Sequence, residues 1–358
     1  MTDEAVYQLK KEQLYALAAY RDHLRAEPDL RWLFFEVTNV CNLSCAHCGS
    51  RCTADGNRLS VADVRKTLQT IPSADRPTVC LTGGEPLLHP DFFSIARCVA
   101  EMGFDWGMTS NGTLIDRQTA LKLRETRMGS VSISLDGMEK THDRLRRREG
   151  AWRKTVQGIV HLQDEGISPQ VTTVVHASNI EELEELYLFL CDLGITSWRP
   201  INVEPIGRAC ESKQMLLTAQ QFDRLLSFIR EKRYDSSCPM EVTYGCSHFL
   251  GVETERMVRD HYFICGAGIR VASVRSNGDI CACLDIENLP SLVQGNIATD
   301  DFWDVWIRGF DAFRTDRTEK SHTCQACENR RICGGDSAHT WDWIENEPLL
   351  CIGKMKAE

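Results

Sequence analysis

Short runs of apolar and β-branched residues alternate along the chain with segments of helical period. The runs "WLFFEVT" (32–38), "TVCLTG" (78–83), "WGMTSNG" (106–112), "VSISLDG" (131–137), "QVTTVVH" (170–176) and "WRPINV" (198–203) predict strands. Between them, 61–71, 91–102, 116–126, 152–166 and 179–194 predict helices. An amphipathic helix over about 4–26 precedes the series, with Val6, Leu9, Leu14, Leu17 and Leu24 on or near one stripe. Each return between strands is long enough to carry a helix, so the sheet should be parallel. The strands are nearly continuous apolar runs, which suits a sheet covered on both faces. The expected class is α/β: a partial (β/α)6 barrel of TIM type, or else a doubly wound sheet. In both, chemistry belongs at the C-terminal ends of the strands.

Past about residue 206 this rhythm stops. One amphipathic helix (219–233) remains, followed by a cysteine-dense region. The expected division is an N-terminal helix (1–28), the strand–helix domain (29–205) and a cysteine-rich domain (206–358). Of the 17 cysteines in 358 residues, ten follow residue 205. Nothing N-terminal has the form of a signal peptide, and no stretch approaches the roughly 20 apolar residues of a membrane span. A cytoplasmic protein without membrane association is the expectation, and in a reducing compartment so many thiols point to metal ligation over disulfides. The net charge of −10 does not favour a nucleic-acid partner. The basic run "RLRRR" (144–148) is the local exception, and by itself such a run is a solvated face.

The special sequences all fall where the strands end. "CNLSCAHC" (41–48) follows the first strand, "GGEP" (83–86) the second, "SNGT" (110–113) the third and "LDG" (135–137) the fourth. Three thiols so close could belong to a disulfide, a zinc site or an iron–sulfur cluster. Structural zinc sites usually draw on separated pairs that close a tetrahedron, whereas three cysteines leave one iron of a four-iron cubane open.

"CNLSCAHC" together with "GGEP" resembles the radical S-adenosylmethionine (radical SAM) superfamily. The resemblance implies a [4Fe-4S] cluster on Cys41, Cys45 and Cys48, with SAM chelating the open iron and being cleaved to a 5′-deoxyadenosyl radical. It implies contacts to SAM from Gly83, Gly84, Glu85 and Pro86, and from Ser110 and Asn111 near the cofactor. Ser134 and Asp136 would approach the ribose, and Arg144 or Arg146 the carboxylate. His47 is a loop residue over the cluster. Cys52 is expected to be a bystander, and Cys80, Cys98 and Cys191 buried small hydrophobes.

The cysteine-rich region resembles the SPASM extension of radical SAM enzymes, on Cys265, Gly278, Cys283, Gly295–Asn296–Ile297, Cys324, Cys327, Cys333 and Cys351. The resemblance implies one or two auxiliary iron–sulfur clusters, one held by Cys324, Cys327, Cys333 and Cys351. The sequence departs from the pattern where Ser337, preceded by Asp336, replaces a cysteine. The other auxiliary site, on Cys265 and Cys283, would then recruit Cys246 or Cys281, accept Asp336, hold fewer irons, or be absent. An occupied site is expected.

What the resemblance implies for function is hydrogen-atom abstraction from a precursor peptide, with crosslinking or maturation of a ribosomally made product and a flavodoxin or ferredoxin-type reductant. Asp285 is the candidate general base. The alternative is a haem, tetrapyrrole or other small-molecule maturase, since "CGGDSAHTW" (333–341) has that form. A non-catalytic electron-transfer protein is a third reading, against which an intact "GGEP" weighs.

Overall fold

A computed structural model describes residues 3–50, 52, 56–245 and 247–355. Helix α1 (Asp3–Ala26) leads into six strands, β1 (Trp32–Thr38), β2 (Thr78–Gly83), β3 (Trp106–Ser110), β4 (Ser130–Ser134), β5 (Gln170–Val175) and β6 (Ser197–Asn202). Each crossover carries helix: α2 (Val61–Gln69), α3 (Phe92–Glu101), α4 (Arg117–Glu125), the pair α5 (Glu139–Arg146) and α6 (Ala151–Asp164), and α7 (Leu183–Asp192). The six strands pair in sequence order and all in parallel, the partial-barrel series that the alternation predicts. Leu33, Phe35 and Val37 of β1, Val79 and Leu81 of β2, Ile133 of β4 and Trp198 of β6 are buried between the helices and the sheet.

The second half is less separate than its composition suggests. After α8 (Ala219–Tyr234), β7 (Glu241–Val242) joins β6 in parallel, and β8 (Val271–Val274) joins the other edge, parallel to β1. β9 (Asp279–Cys281) and β10 (Gly295–Asn296) follow antiparallel. One ten-stranded sheet, β10-β9-β8-β1-β2-β3-β4-β5-β6-β7, therefore runs across residue 206. A small hairpin, β11 (Trp341–Asp342) with β12 (Glu347–Pro348), stands apart.

Local sequence explains the ends. Ser60 and Asp63 form a reciprocal capping box on α2, and Thr218 and Gln221 do the same on α8, arrangements that stabilise by about 1 kcal/mol each. α1 packs with a different stripe from the expected one. Leu14, Ala18, Arg21 and Leu24 are buried, while Leu9 is 46% exposed. Arg21 replaces an apolar residue there because its guanidinium donates to the carbonyls of Arg331 (2.5 Å) and Ile332 (3.3 Å), tying α1 to the second cysteine region. Among the described residues, no helix is long and apolar enough to cross a membrane.

Candidate functional site

Two glycines let the ends of β1 and β2 meet. Gly84 N donates to Thr38 O at 2.8 Å and Glu85 N to Val40 O at 2.9 Å. A Cβ on Gly83 (φ +145) would stand 2.1 Å from Thr38 O, and one on Gly84 2.3 Å from Val40 O, so neither position admits a side chain. Glu85 turns inward from this seam. Its Oε1 accepts from Ser110 Oγ (2.9 Å) and its Oε2 from the Asn111 amide (2.8 Å). Complete burial raises the Glu85 carboxyl to about 7 against those hydrogen bonds. Ser110 and Asn111 thus hold Glu85, and Asn111 Nδ2 also donates to Asn42 Oδ1 (2.9 Å) in the cysteine loop. Pro86 opens the single turn Pro86–Leu88 that follows.

The cysteine loop folds over this seam. Cys45 is buried with Leu43 and Ala151, and Cys41 and Cys48 pack against them half-buried. Arg146 reaches the loop from the last turn of α5, with Nη1 3.6 Å from Cys45 Sγ. Its Nε donates to Asp136 Oδ2 at 2.7 Å in an ion pair buried on both sides. Burial would raise the Asp136 carboxyl, but Arg146 and then His47 hold it down at about 2. Asp136 Oδ1 accepts from the Val174 amide (2.9 Å), so in this structure the carboxylate is fully engaged by protein. Arg144, two residues away on the helix, is exposed, which separates the two arginines by face. Ser134 closes β4 half-buried. His47 is nearly buried, its Nδ1 without a hydrogen-bond partner.

Two further residues join the loop that sequence reasoning did not single out in this role. Arg208, beyond β6, donates from its amide to Cys48 O (3.0 Å) and from Nε to Cys45 O (2.7 Å). The preceding Gly207 (φ +53) makes this possible, since a Cβ there would lie 2.4 Å from Cys48 O. Cys52, expected to be a bystander, hydrogen-bonds the sulfurs of both Cys41 and Cys48. That contact lowers the Cys48 thiol to about 6, against burial. The fit to a cluster is good on these grounds: three thiols in one loop, Cys41 and Cys48 both shifted toward thiolate, with two guanidiniums at hand to balance anionic sulfur.

A cavity of about 490 Å³ opens beside the loop, walled by Gly49, Ser50, the 205–207 turn, Arg275 and 284–288. Asp285 lies on this wall, open to solvent within the cavity. Its Oδ1 would be 3.6 Å from a Cβ on Gly49, the residue after Cys48. The structure therefore brings the candidate base to the cluster loop, across the division expected between domains.

The remaining expected ligands separate into two places. Cys324, Cys333 and Cys351 lie within mutual electrostatic range, with Cys327 beside Cys324, around two short helices and the β11–β12 hairpin. Cys265 packs in an apolar cluster with Leu14, Phe249 and Cys333, its Sγ accepting from the Ala338 amide at 3.3 Å. Cys283 is hydrogen-bonded by His339. Cys281 is buried on β9 with its thiol pushed up to about 12 by burial, and Cys246 lies outside the described residues.

Asp336 is otherwise engaged. Its Oδ1 accepts from Phe249 N (2.9 Å) and its Oδ2 faces His248 Nδ1 (3.0 Å), while Ser337 Oγ accepts from His248 N (3.4 Å). His248 Nε2 meets Glu204 Oε1 at 3.0 Å, and His339 Nε2 meets Glu204 Oε2 at 2.8 Å. Asp336, His248, Glu204 and His339 thus form one chain of alternating charge ending at the cavity wall. His248 (φ +67) and Asp336 (φ +61) both adopt left-handed backbone to build it, an arrangement side chains resist unless fixed by their surroundings. With both oxygens of Asp336 occupied, its expected role as a cluster ligand finds no support in this geometry.

Comparison with known proteins finds two domains. The radical SAM superfamily model matches 35–190 and that of an iron–sulfur cluster-binding domain, SPASM, matches 265–328. The AdoMet-dependent heme synthase of Oleidesulfovibrio alaskensis is 27% identical over 351 residues, 92% of this chain and 89% of that protein. The AdoMet-dependent heme synthase of Methanosarcina barkeri is 29% identical over 345 residues, 90% of this chain and 96% of that protein. In fold, the chain resembles Streptococcus suis SuiB bound to S-adenosylmethionine, with a TM-score of 0.70 at 19% identity, over 86% of this chain and 73% of SuiB. A radical SAM domain carries a [4Fe-4S] cluster and binds SAM, and SPASM adds auxiliary iron–sulfur clusters. The chain carries a radical SAM domain and a SPASM iron–sulfur cluster-binding domain.

Proposed function

We propose that this radical SAM enzyme acts on a tetrapyrrole, in place of the precursor peptide that the cysteine-rich half suggested. The observation that carries the reading is similarity along nearly the whole chain to AdoMet-dependent heme synthases. The likeness to SuiB speaks to fold, and its substrate does not transfer at that identity. Ser337, which departs from the cysteine of the SPASM pattern, is spent with Asp336 on His248, and that departure supports the same reading.

Cys41, Cys45 and Cys48 would hold the first cluster, which with SAM supplies reductive C–S cleavage and a 5′-deoxyadenosyl radical. Gly83 and Gly84 keep the strand ends close enough to shape the pocket, and Arg208 and Arg146 fix the cysteine loop. Asp285 would be the group placed to accept a proton from the substrate, because it is the carboxylate set against Gly49 at the mouth of that loop. Cys324, Cys327, Cys333 and Cys351 would hold an auxiliary cluster.

The test is anaerobic turnover of reconstituted protein with SAM, reductant and iron coproporphyrin III. The expected result is 5′-deoxyadenosine whose yield depends on the porphyrin, with a porphyrin product of altered mass. Abundant 5′-deoxyadenosine beside an unchanged porphyrin would overturn the tetrapyrrole reading, and none from cluster-replete protein would overturn the enzyme.

A further inference from the structure

The cavity that holds Asp285 also holds a cation with spare hydrogen-bonding capacity. Arg275 follows β8 and, among the described residues, is the only arginine or lysine on the cavity wall. Its Nη2 donates to Ile286 O at 2.8 Å, and the side chain touches the Cys281 sulfur. Its Nε is buried and makes no hydrogen bond. Its fork is thus held by a carbonyl and by the Cys281 sulfur, with no ion pair among the described residues. That Nε is closed off from the cavity, so what the wall offers a ligand is the remainder of the half-buried guanidinium. The acceptor that matches a planar fork is a carboxylate.

The rest of the wall limits where such a ligand can go. Glu36, Asp285 and Glu287 line the same cavity, so an anionic ligand is repelled wherever it lies against them. Glu36 is held in place by Ser276, through the amide at 3.1 Å and the hydroxyl at 2.5 Å. His339 lines the cavity too but is committed to Glu204 and Cys283, so among the described residues Arg275 is the cation left to seat a carboxylate-bearing ligand, which fixes its orientation toward Asp285 and the cysteine loop.

We infer that Arg275 is a specificity-determining residue that seats a carboxylate of the substrate in this cavity; the inference rests on the tetrapyrrole reading for the identity of the acid, which is a propionate side chain. Arg275 selects the substrate by charge and turns it, and takes no part in bond breaking.

The experiment is anaerobic titration of cluster-loaded protein with iron coproporphyrin III and with its propionate methyl ester, in the same detergent buffer, followed by porphyrin absorbance. Wild type should bind the acid and bind the ester about ten- to a hundredfold more weakly, the range expected for losing a charged hydrogen-bonded contact. R275Q should lose a similar factor for the acid and little for the ester. R275K, which keeps charge without the fork, should fall between them, and it carries the test if R275Q does not fold by iron content and thermal unfolding. SAM affinity should be the same in wild type and variant. Equal affinities for acid and ester in wild type, or unchanged binding of the acid by the variants, would overturn the inference and leave the tetrapyrrole reading standing. So would a selective loss of SAM affinity, which would assign Arg275 to the cofactor's own carboxylate. Failure of wild type to bind either porphyrin would overturn the tetrapyrrole reading itself, and this inference with it.

Discussion

Arg146 stands between Asp136 and Cys45, 2.7 Å from a carboxylate oxygen of the first and 3.6 Å from the sulfur of the second. The pair with Asp136 is buried, so removing one partner strands the other charge away from water. Asp136→Asn, nearly isosteric, is expected to destabilise the protein by about 3–5 kcal/mol, read from urea unfolding. A loss under about 1 kcal/mol would show that solvent reaches Arg146.

Arg208 ties the loop down from the opposite side, through Cys45 O and Cys48 O. Arg208→Gln should retain the fold and shed loop-bound iron to a chelator about tenfold faster, the scale seen when outer groups around metal ligands are removed. Arg224→Gln, which breaks only an exposed pair with Glu181, should release iron at the wild-type rate. Equal rates for both variants would contradict the clamp.

Substituting Cys41, Cys45 and Cys48 together by alanine should leave iron and sulfide bound, because Cys324, Cys327, Cys333 and Cys351 are untouched and distant in sequence. Adding Cys324→Ala and Cys351→Ala should lower the iron content further. Iron-free protein after the first three changes would mean that the second region holds no cluster.

The charged chain through His248 predicts a pH dependence. Burial alone would lower its imidazole, but Asp336 and Glu204 raise it to about 9. A histidine raised in the folded state contributes stability that is fully present below its ordinary value of 6.5 and is lost as pH climbs through about 9. Unfolding free energy should therefore fall by roughly 2–3 kcal/mol between those limits, and His248→Gln should flatten the change. Asp336→Asn should flatten it as well while leaving auxiliary-cluster spectra unaltered. Altered spectra would restore Asp336 as a ligand.

The six parallel strands were legible because each is a compact apolar run bounded by polar punctuation, and their bounds moved by at most three residues. "WGMTSNG" ends early at Ser110, since Asn111 and Gly112 (φ +77) turn the chain. β7 to β10 were not legible. They are two to four residues long, and they exist because a distant edge was there to pair with. Helix α5 was hidden because Leu145 is its only strongly apolar residue and charge surrounds it. Arg144 and Arg146 could not be told apart until that helix put them on different faces. The cysteine loop announced itself through spacing, whereas Glu204, His248, Asp336 and His339 are scattered and meet only in the fold. Ser337 marked the place as unusual. His339, two residues on, was the available sign that polar groups had taken over there.

The parallel pairing of β8 with β1 has a mechanical consequence. β1 delivers the cysteine loop, and β8 delivers Arg275 and, through β9, Asp285. Both walls of the cavity are therefore splinted to one another by backbone hydrogen bonds along a shared seam. The spacing between the cysteine loop and its facing wall is as fixed as the register of two strands.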